Sequence, residues 1–337
     1  MYSEGLLCLP FAFGLFDNKM IIDKMWSLLK IFTLLFVVNY ILANLFHWGG
    51  SLYTDIKGGE TGNIEDEGHY LFTCFCAVLP IFFFELKNKL LWIAIVSFVF
   101  LLIVSTLKRT SIASFITLII VYYLCSLYFR MKYHNSYSMG MSTKQVLLIF
   151  FALFTLATVT FFFQGSIEER YEYRSKKHFK KGLQKEGRVM ELKYIYDDIV
   201  LNSDLPTLLF GKETFNTIGT YANGRFGKRM IHDNYGIILN GSGIIGIFLY
   251  FSIHVYVFLL FIRYNKRVDK KNNDIATKFY IVFVCLWSVF YVASFSGTIW
   301  NPIYSSIHFA LTGIILRYFY EYGDTYVDIR SNNELSD

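Results

Sequence analysis

The chain has 337 residues, of which 54% are hydrophobic, 19% aromatic and 17% charged, and it contains only four prolines. This composition excludes an ordinary soluble domain, in which about a quarter of the residues are charged. The formal net charge of +6 says little about a charged partner, because Lys and Arg in a membrane protein mostly report orientation. Apolar runs of about twenty residues, the length of a transmembrane helix, recur along the chain. We therefore expect an integral membrane protein.

The apolar segments predict the fold in chain order. The first, 5–16, is too short to span a bilayer, so we expect an interfacial or re-entrant piece or the remainder of a longer helix. Eight longer segments predict spanning helices, at 26–46, 69–86, 90–107, 111–129, 145–163, 237–262, 279–297 and 303–320. The predicted fold is an all-α polytopic membrane protein with eight or nine transmembrane helices. The five cysteines lie in apolar segments, where we expect core residues rather than metal ligands.

The short loops predict the orientation. The positive-inside rule assigns their cation-rich side to the cytoplasm, and that side carries Lys87, Lys89, Arg130, Lys132, Lys144, Arg263, Lys266, Arg267, Lys270 and Lys271. Arg109, in a hairpin turn, and the polar loop at 164–236 then lie on the outer side. The expected organisation is N-terminal transmembrane helices (1–163), a partly helical extracytoplasmic polar loop (164–236), C-terminal transmembrane helices (237–320) and a frayed cytoplasmic tail (321–337).

The polar loop is mildly basic. It holds thirteen Lys and Arg against ten Asp and Glu between positions 164 and 235, and its cations are densest at 170–188. The basic run at 176–181 is typical of contact with anionic lipid head groups. The alternative is a platform for an anionic substrate, for which arginine is preferred because its planar fork binds phosphate oxygens in a bidentate way.

One segment of the polar loop has helical periodicity. Val189, Leu192, Ile195 and Ile199 recur at helical spacing, which predicts an amphipathic helix over 186–201. Arg188 lies in its first turn and is expected on the face that the apolar stripe covers. Residues 202–206 should end this helix, and 208–211 should lead into irregular structure.

His232 stands at the end of the polar loop, about one turn before the next predicted span. An imidazole can take a proton from a sugar hydroxyl near neutral pH, and the preceding cations Arg225, Lys228 and Arg229 would keep it neutral. The alternative is an ordinary interfacial histidine. Asp233 either orients this histidine or caps the helix that follows.

Three more ionisable residues lie at or within the predicted spans. Arg109 either snorkels at its hairpin turn or points into the outer mouth of the helix bundle, where a lipid pyrophosphate would pass. His254 and His308 are either hydrogen-bonded residues that pack helices together or residues that line a cavity.

The order of these residues carries a resemblance. Outward Arg109 is followed by Arg188-x-x-x-Leu192, by Leu-Leu-Phe-Gly at 208–211, and by His232-x10-Gly243. Over 90–320 this resembles the O-antigen ligase and polymerase superfamily of bacterial polytopic membrane glycosyltransferases. The family divides into ligases and polymerases of surface polysaccharides such as lipopolysaccharide and capsule, and the motifs leave that choice open.

The resemblance implies an inverting, metal-independent glycosyl transfer that needs no cofactor, at the outer face of the bacterial cytoplasmic membrane. The implied partners are a polyprenyl-diphosphate-linked glycan as donor, an acceptor glycan or lipid-linked core, and membrane lipids, with no nucleic acid. Arg188 and Arg109 would hold the diphosphate, and His232 would activate the acceptor hydroxyl. Supporting roles are implied for Arg225, Asp233 and Gly243.

Two other functional classes remain open. A transporter of lipid-linked sugar or polysaccharide should carry ionisable residues near mid-membrane on several helices. A sensor or scaffold that binds a partner through the polar loop should tolerate the loss of His232.

Overall fold

The computed structural model of the chain describes residues 2–15, 27, 31, 34–35, 38, 109–133, 187–212, 218–220, 228–231, 233–268, 274–295 and 302–334. Within these residues the fold is helical, with one short two-stranded ribbon. Its elements are α1 (Tyr2–Leu15), α2 (Arg109–Tyr133), α3 (Gly187–Tyr196), α4 (Leu205–Phe210), β1 (Ile218–Thr220), β2 (Lys228–Met230), α5 (Asn234–Asn265), α6 (Asp274–Ser294) and α7 (Pro302–Glu334).

Four of the predicted spanning segments correspond to described helices. The segments at 111–129, 237–262, 279–297 and 303–320 fall on α2, α5, α6 and α7. The predicted helices at 69–86, 90–107 and 145–163 lie outside the described residues, and so does most of 26–46.

By length and composition, two helices in the described part of the chain can cross a membrane. They are α5, with 32 residues, and the 20 residues Ile275–Ser294 of α6. At about 1.5 Å per residue, α5 is longer than a bilayer core of ~30 Å. Several of its large apolar side chains are exposed, among them Phe248, Leu249, Val255, Tyr256 and Leu259. Such a surface is unfavourable in water and is suited to lipid.

Aromatic residues of α6 form the centre of the core. Phe283 stacks on Phe261 of α5, with ring centroids 3.7 Å apart. On another side, Phe279 packs against Tyr318 of α7 at 4.7 Å. Buried aromatic pairs of this kind add roughly 0.5–1.5 kcal/mol beyond their area burial. They hold α5 and α7 against α6.

Helix α2 runs antiparallel to α6. Phe129, near the end of α2, meets Tyr280, near the start of α6, with ring centroids 5.2 Å apart. One turn earlier in α2, Cys125 packs against the buried cluster that contains Cys285 of α6. Because the two helices run in opposite directions, Arg109 begins α2 at the end of the bundle where α6 finishes.

The first apolar segment is a helix of 14 residues, α1, that packs along α7. A Cβ atom on Gly313 would overlap the carbonyl oxygen of Leu9, so the missing side chain allows the two backbones to approach. Further along, the rings of Phe13 and Tyr320 lie 5.8 Å apart. The segment predicted as interfacial, re-entrant or the remainder of a helix therefore joins the helical core.

The last helix continues beyond its predicted end at position 320. In the structure α7 runs to Glu334, past the predicted start of the tail at 321. Two pairs at i,i+4 spacing carry the helix across this boundary, because neighbours on one helical face stabilise it. Arg317 pairs with Glu321, and the rings of Tyr318 and Tyr322 lie 4.5 Å apart.

Candidate functional site at the start of α5

The polar loop contains the predicted amphipathic helix. It appears as α3 followed by a π-helical turn over Asp197–Leu201, so the prediction for 186–201 is confirmed. Its buried face differs from the predicted stripe. Ile195 and Ile199 are buried as expected, whereas Val189 is 48% exposed and the carboxylate residue Glu191 is 0% exposed. The buried face therefore follows the i,i+4 series that starts at Glu191.

This face packs on the first turn of α5. Ile195 and Ile199 form a buried cluster with Ile231 and Ile237, on either side of the start of α5. A Cβ atom on Gly236 would stand 3.1 Å from Cδ1 of Ile195 and 3.3 Å from Cγ2 of Ile231. The missing side chain thus lets α3 lie directly on the segment that follows position 232.

Asp233 is the N-cap of α5. Its carboxylate accepts hydrogen bonds from the backbone N–H of Tyr235 at 3.0 Å and of Gly236 at 2.8 Å, and the residue is buried. These N–H groups have no partner inside the helix, and a carboxylate at a helix N-terminus also interacts favourably with the helix dipole. Of the two predicted roles for Asp233, the capping role is the one that the hydrogen bonds show.

A short helix, α4, includes most of the segment 208–211 that was predicted to lead into irregular structure. Asp204 starts it by accepting a hydrogen bond from the backbone N–H of Thr207 at 3.2 Å, and Pro206 lies in its first turn. Both residues favour helix starts. The hydroxyl and backbone N–H of Thr207 also lower the pKa of Asp204. The preceding helix ends at Leu201, as the segment 202–206 predicted, and most of the stretch after Gly211 lies outside the described residues.

Two glycines let the end of α4 meet the backbone of α5. Gly211 has φ +79° and Gly243 has φ +60°, values that L side chains rarely adopt. A Cβ atom on Gly211 would lie 2.6 Å from the carbonyl oxygen of Asn240, and one on Gly243 would lie 2.5 Å from the carbonyl carbon of Leu209. The backbone N–H of Lys212 donates to the same Asn240 oxygen at 2.8 Å. Gly243, the second residue of the His232-x10-Gly243 motif, breaks α5 where α4 docks.

Segment 234–243 is therefore held at both ends. Asp233 caps its start while α3 covers Gly236, and α4 abuts its break at Gly243. The antiparallel ribbon of β1 and β2, in which Gly219 lies opposite Arg229, precedes this segment in the chain, and Ile231 follows β2. The described parts of the polar loop thus fold onto the first ten residues of α5.

The structure describes some of the predicted site residues and not others. His232 and Arg225 lie outside the described residues, His232 between buried Ile231 and buried Asp233 and Arg225 between the two strands. Arg188 is the second residue of α3. It precedes Ile195 by seven residues, which places the two positions about 20° apart around the helix axis. Its backbone therefore lies on the helix face that meets α5.

Arg109 lies at the same end of the bundle. Near the end of α6, Phe295 packs against Tyr235 in the first turn of α5, with ring centroids 5.1 Å apart. Because α2 is antiparallel to α6, its first residue, Arg109, belongs to this end too. The structure thus brings α3 against the start of α5 and puts the start of α2 at the same end, without a described contact between Arg109 and the other two.

Two polar residues in this region were not predicted. Glu191 is fully buried on α3, and Asn234, the first residue of α5, is 1% exposed. Neither Oδ1 nor Nδ2 of Asn234 has a hydrogen-bond partner within the described part of the chain. The only sequence signal for Glu191 is its i,i+4 spacing to Ile195 and Ile199. Asn234 is signalled only by its place two residues after His232.

The two histidines within the helices are both buried among aromatic rings. The Nδ1 atom of His254 lies 3.2 Å from the hydroxyl of Tyr291, which fits the predicted role of a hydrogen-bonded packing residue. His308 stacks on Phe290 with ring centroids 4.0 Å apart. Neither ring nitrogen of His308 has a hydrogen-bond partner among the described residues.

Comparisons with known protein families, curated proteins and solved structures gave no match to the chain.

Proposed function

We propose that the chain is a multi-pass membrane glycosyltransferase of the O-antigen ligase or polymerase type. It transfers a glycan from a polyprenyl-diphosphate-linked donor to an acceptor hydroxyl at the outer face of the bacterial cytoplasmic membrane. One observation carries the proposal, namely the packing of α3 on the first turn of α5. It brings the helix of Arg188 to the segment that begins beside His232, although the two residues are far apart in the chain.

The proposed mechanism is an inverting displacement. Arg188 and Arg109 bind the diphosphate and stabilise the negative charge that develops on it, as fixed cations in a partly dry site do. The acceptor oxygen attacks the anomeric carbon from the opposite face, and its proton passes to the imidazole of His232. The bond from the anomeric carbon to the diphosphate oxygen breaks, and its electron pair stays on the leaving lipid diphosphate.

The surrounding structure supports such a site. Catalytic groups act well only when neighbouring elements fix their positions. Here Ile231 and Asp233 are buried on both sides of His232, and the two backbone hydrogen bonds of Asp233 fix the start of α5. The close approach of α4 at Gly243 fixes the same segment from its other end.

Surface glycan from cells with variant genes tests the proposal. The native gene is replaced by His232→Ala, by Arg188→Ala, or by the control Lys193→Ala, which changes an exposed lysine of the helix that carries Arg188. Each variant is quantified in membranes before the glycan is separated on a gel. We expect the control to keep wild-type long-chain glycan and the other two to lose it.

The pattern of loss separates the two kinds of enzyme. Loss of the chain ladder with single units still attached indicates a polymerase, whereas accumulation of lipid-linked polymer with no attached glycan indicates a ligase. Wild-type glycan from both His232→Ala and Arg188→Ala, at normal protein levels, would show that the proposed catalytic roles are wrong.

Transport of a lipid-linked sugar is the second candidate function, and one observation favours it. His254 and His308 are buried on α5 and α7, and ionisable residues inside spanning helices are typical of transporters. Protein purified in detergent does not separate two compartments, so transport cannot take place in that sample. Glycan transfer by that protein therefore favours the transferase, whereas movement of lipid-linked sugar across vesicles without transfer favours the transporter.

A further inference from the structure

The side chain of Asn234 is the starting point. It is 1% exposed, and neither its oxygen nor its nitrogen has a hydrogen-bond partner within the described part of the chain. Buried polar groups almost always find partners, because leaving one unpaired is destabilising. Its neighbours in the turn differ, since the Asp233 carboxylate caps the helix and the Tyr235 ring packs on Phe295. The described residues around Asn234 therefore do not explain its buried amide.

The position of Asn234 suggests what pairs with it. It lies two residues after His232, in the turn that α3 covers at Gly236. Sites that bind a substrate hydroxyl contain polar groups that stay unpaired when the hydroxyl is missing, and this is how they reject analogues that lack it. An amide with no partner among the described residues, two positions after the proposed acceptor-activating histidine, has the properties of such a group.

The chemistry of the amide limits which ligand groups can satisfy it. An asparagine side chain offers an acceptor oxygen and two donor hydrogens. A sugar hydroxyl both donates and accepts and can satisfy both ends, whereas a diphosphate oxygen only accepts. We infer that Asn234 hydrogen-bonds a hydroxyl of the sugar next to the bond being formed. This inference rests on the proposed glycosyl transfer and deepens it, because it assigns sugar recognition to α5 and leaves diphosphate recognition to the arginines.

The full-length protein, purified in detergent, tests this with lipid-linked glycan extracted from cells that carry the gene. Asn234→Leu removes the amide while keeping a similar volume. Because the amide has no partner among the described residues, we expect the unfolding temperature to hold or rise. We expect KM for the lipid-linked glycan to rise about tenfold, which is the effect of one lost hydrogen bond. We expect kcat to stay nearly unchanged, because binding of the ground state and of the transition state weakens together.

Asn202→Leu is the matched control. The Asn202 side chain is exposed and donates to the carbonyl oxygen of Asp197 at 2.9 Å, so its loss should lower the unfolding temperature and leave KM unchanged. If Asn234→Leu behaves like this control, Asn234 is a structural residue and the inference is wrong. Asn234→Asp keeps an acceptor for a hydroxyl and should raise KM less than Asn234→Leu. A larger rise would identify the ligand group as an anion rather than a hydroxyl.

A binding measurement on the wild-type protein distinguishes failure of this inference from failure of the proposed function. If it transfers no glycan, binding of the same lipid-linked glycan is read from the rise in unfolding temperature that a ligand produces. A rise in wild type that Asn234→Leu reduces would keep Asn234 as a sugar contact and reject the transferase. No rise in wild type would overturn both.

Discussion

Replacement of Gly243 by alanine should separate α4 from α5. Gly243 has φ +60° and ψ −158°, a region essentially confined to glycine, where another residue is destabilised by roughly 1–3 kcal/mol. The added Cβ would also lie 2.5 Å from the carbonyl carbon and oxygen of Leu209. Backbone must move to relieve that overlap, and overpacking of this kind destabilises by roughly 1–3 kcal/mol more. We therefore expect a total loss of about 2–6 kcal/mol.

Thermal unfolding of the detergent-purified protein measures this loss. Gly14→Ala is the control, because a Cβ atom there meets nothing within 4 Å and alanine is favoured over glycine in a helix by up to about 1 kcal/mol. We expect Gly243→Ala to unfold several degrees below wild type and Gly14→Ala to unfold at or above it. Equal unfolding temperatures for Gly243→Ala and wild type would show that α4 does not approach α5 as described.

Asp233→Ala should destabilise α5 by about 1–2 kcal/mol in thermal unfolding, because two backbone N–H groups lose their cap. Asp233→Asn keeps an acceptor oxygen and should recover most of that loss. Equal destabilisation by the two substitutions would argue against capping. Glu191→Lys should prevent accumulation of folded protein on size exclusion, since Glu191 is fully buried and a reversed charge there loses its interactions, whereas exposed Lys193→Glu should be tolerated. The pKa of Asp204 is lowered from 3.8 by hydrogen bonds from Thr207. The contribution of Asp204 to the stability of α4 is therefore present above about pH 4 and is lost as the pH falls through the lower folded-state pKa. An acid protease should then cut near α4 more readily at lower pH in wild type. This dependence on pH should be weaker in Asp204→Ala.

Helical periodicity was sufficient to predict α3, since apolar residues at helical spacing specify a helix that packs by one face. It could not predict which residues that face buries. Hydropathy predicts that Glu191 faces solvent, whereas the structure buries it completely. The hydrophobic pattern predicts that Val189 is a core residue, whereas its side chain is half exposed in the structure. A hydrophobic pattern reports the average polarity of a face, not the partners that make a buried charge tolerable.

The contact between α4 and α5 could not have been predicted from local sequence. It joins two segments about thirty positions apart through backbone atoms, so no side chain signals it. The only trace is the pair Gly211 and Gly243, and glycine is equally common in ordinary loops. The cap at Asp233 was predicted as one of two roles, because an aspartate before a helix is a cap signal whatever else it does. Asn234 was missed because an unpaired buried amide is recognised only once its surroundings are known.

Release of polyprenyl diphosphate by the purified protein tests glycosyl transfer most directly. The protein, in detergent, is incubated with extracted lipid-linked glycan and an acceptor glycan, and the released lipid is quantified together with the anomeric configuration of the new linkage. We predict that wild type and Lys193→Ala release lipid diphosphate and form an inverted linkage, and that His232→Ala and Arg188→Ala release little. Undiminished release by His232→Ala, a retained configuration, or no release by wild type would contradict the account.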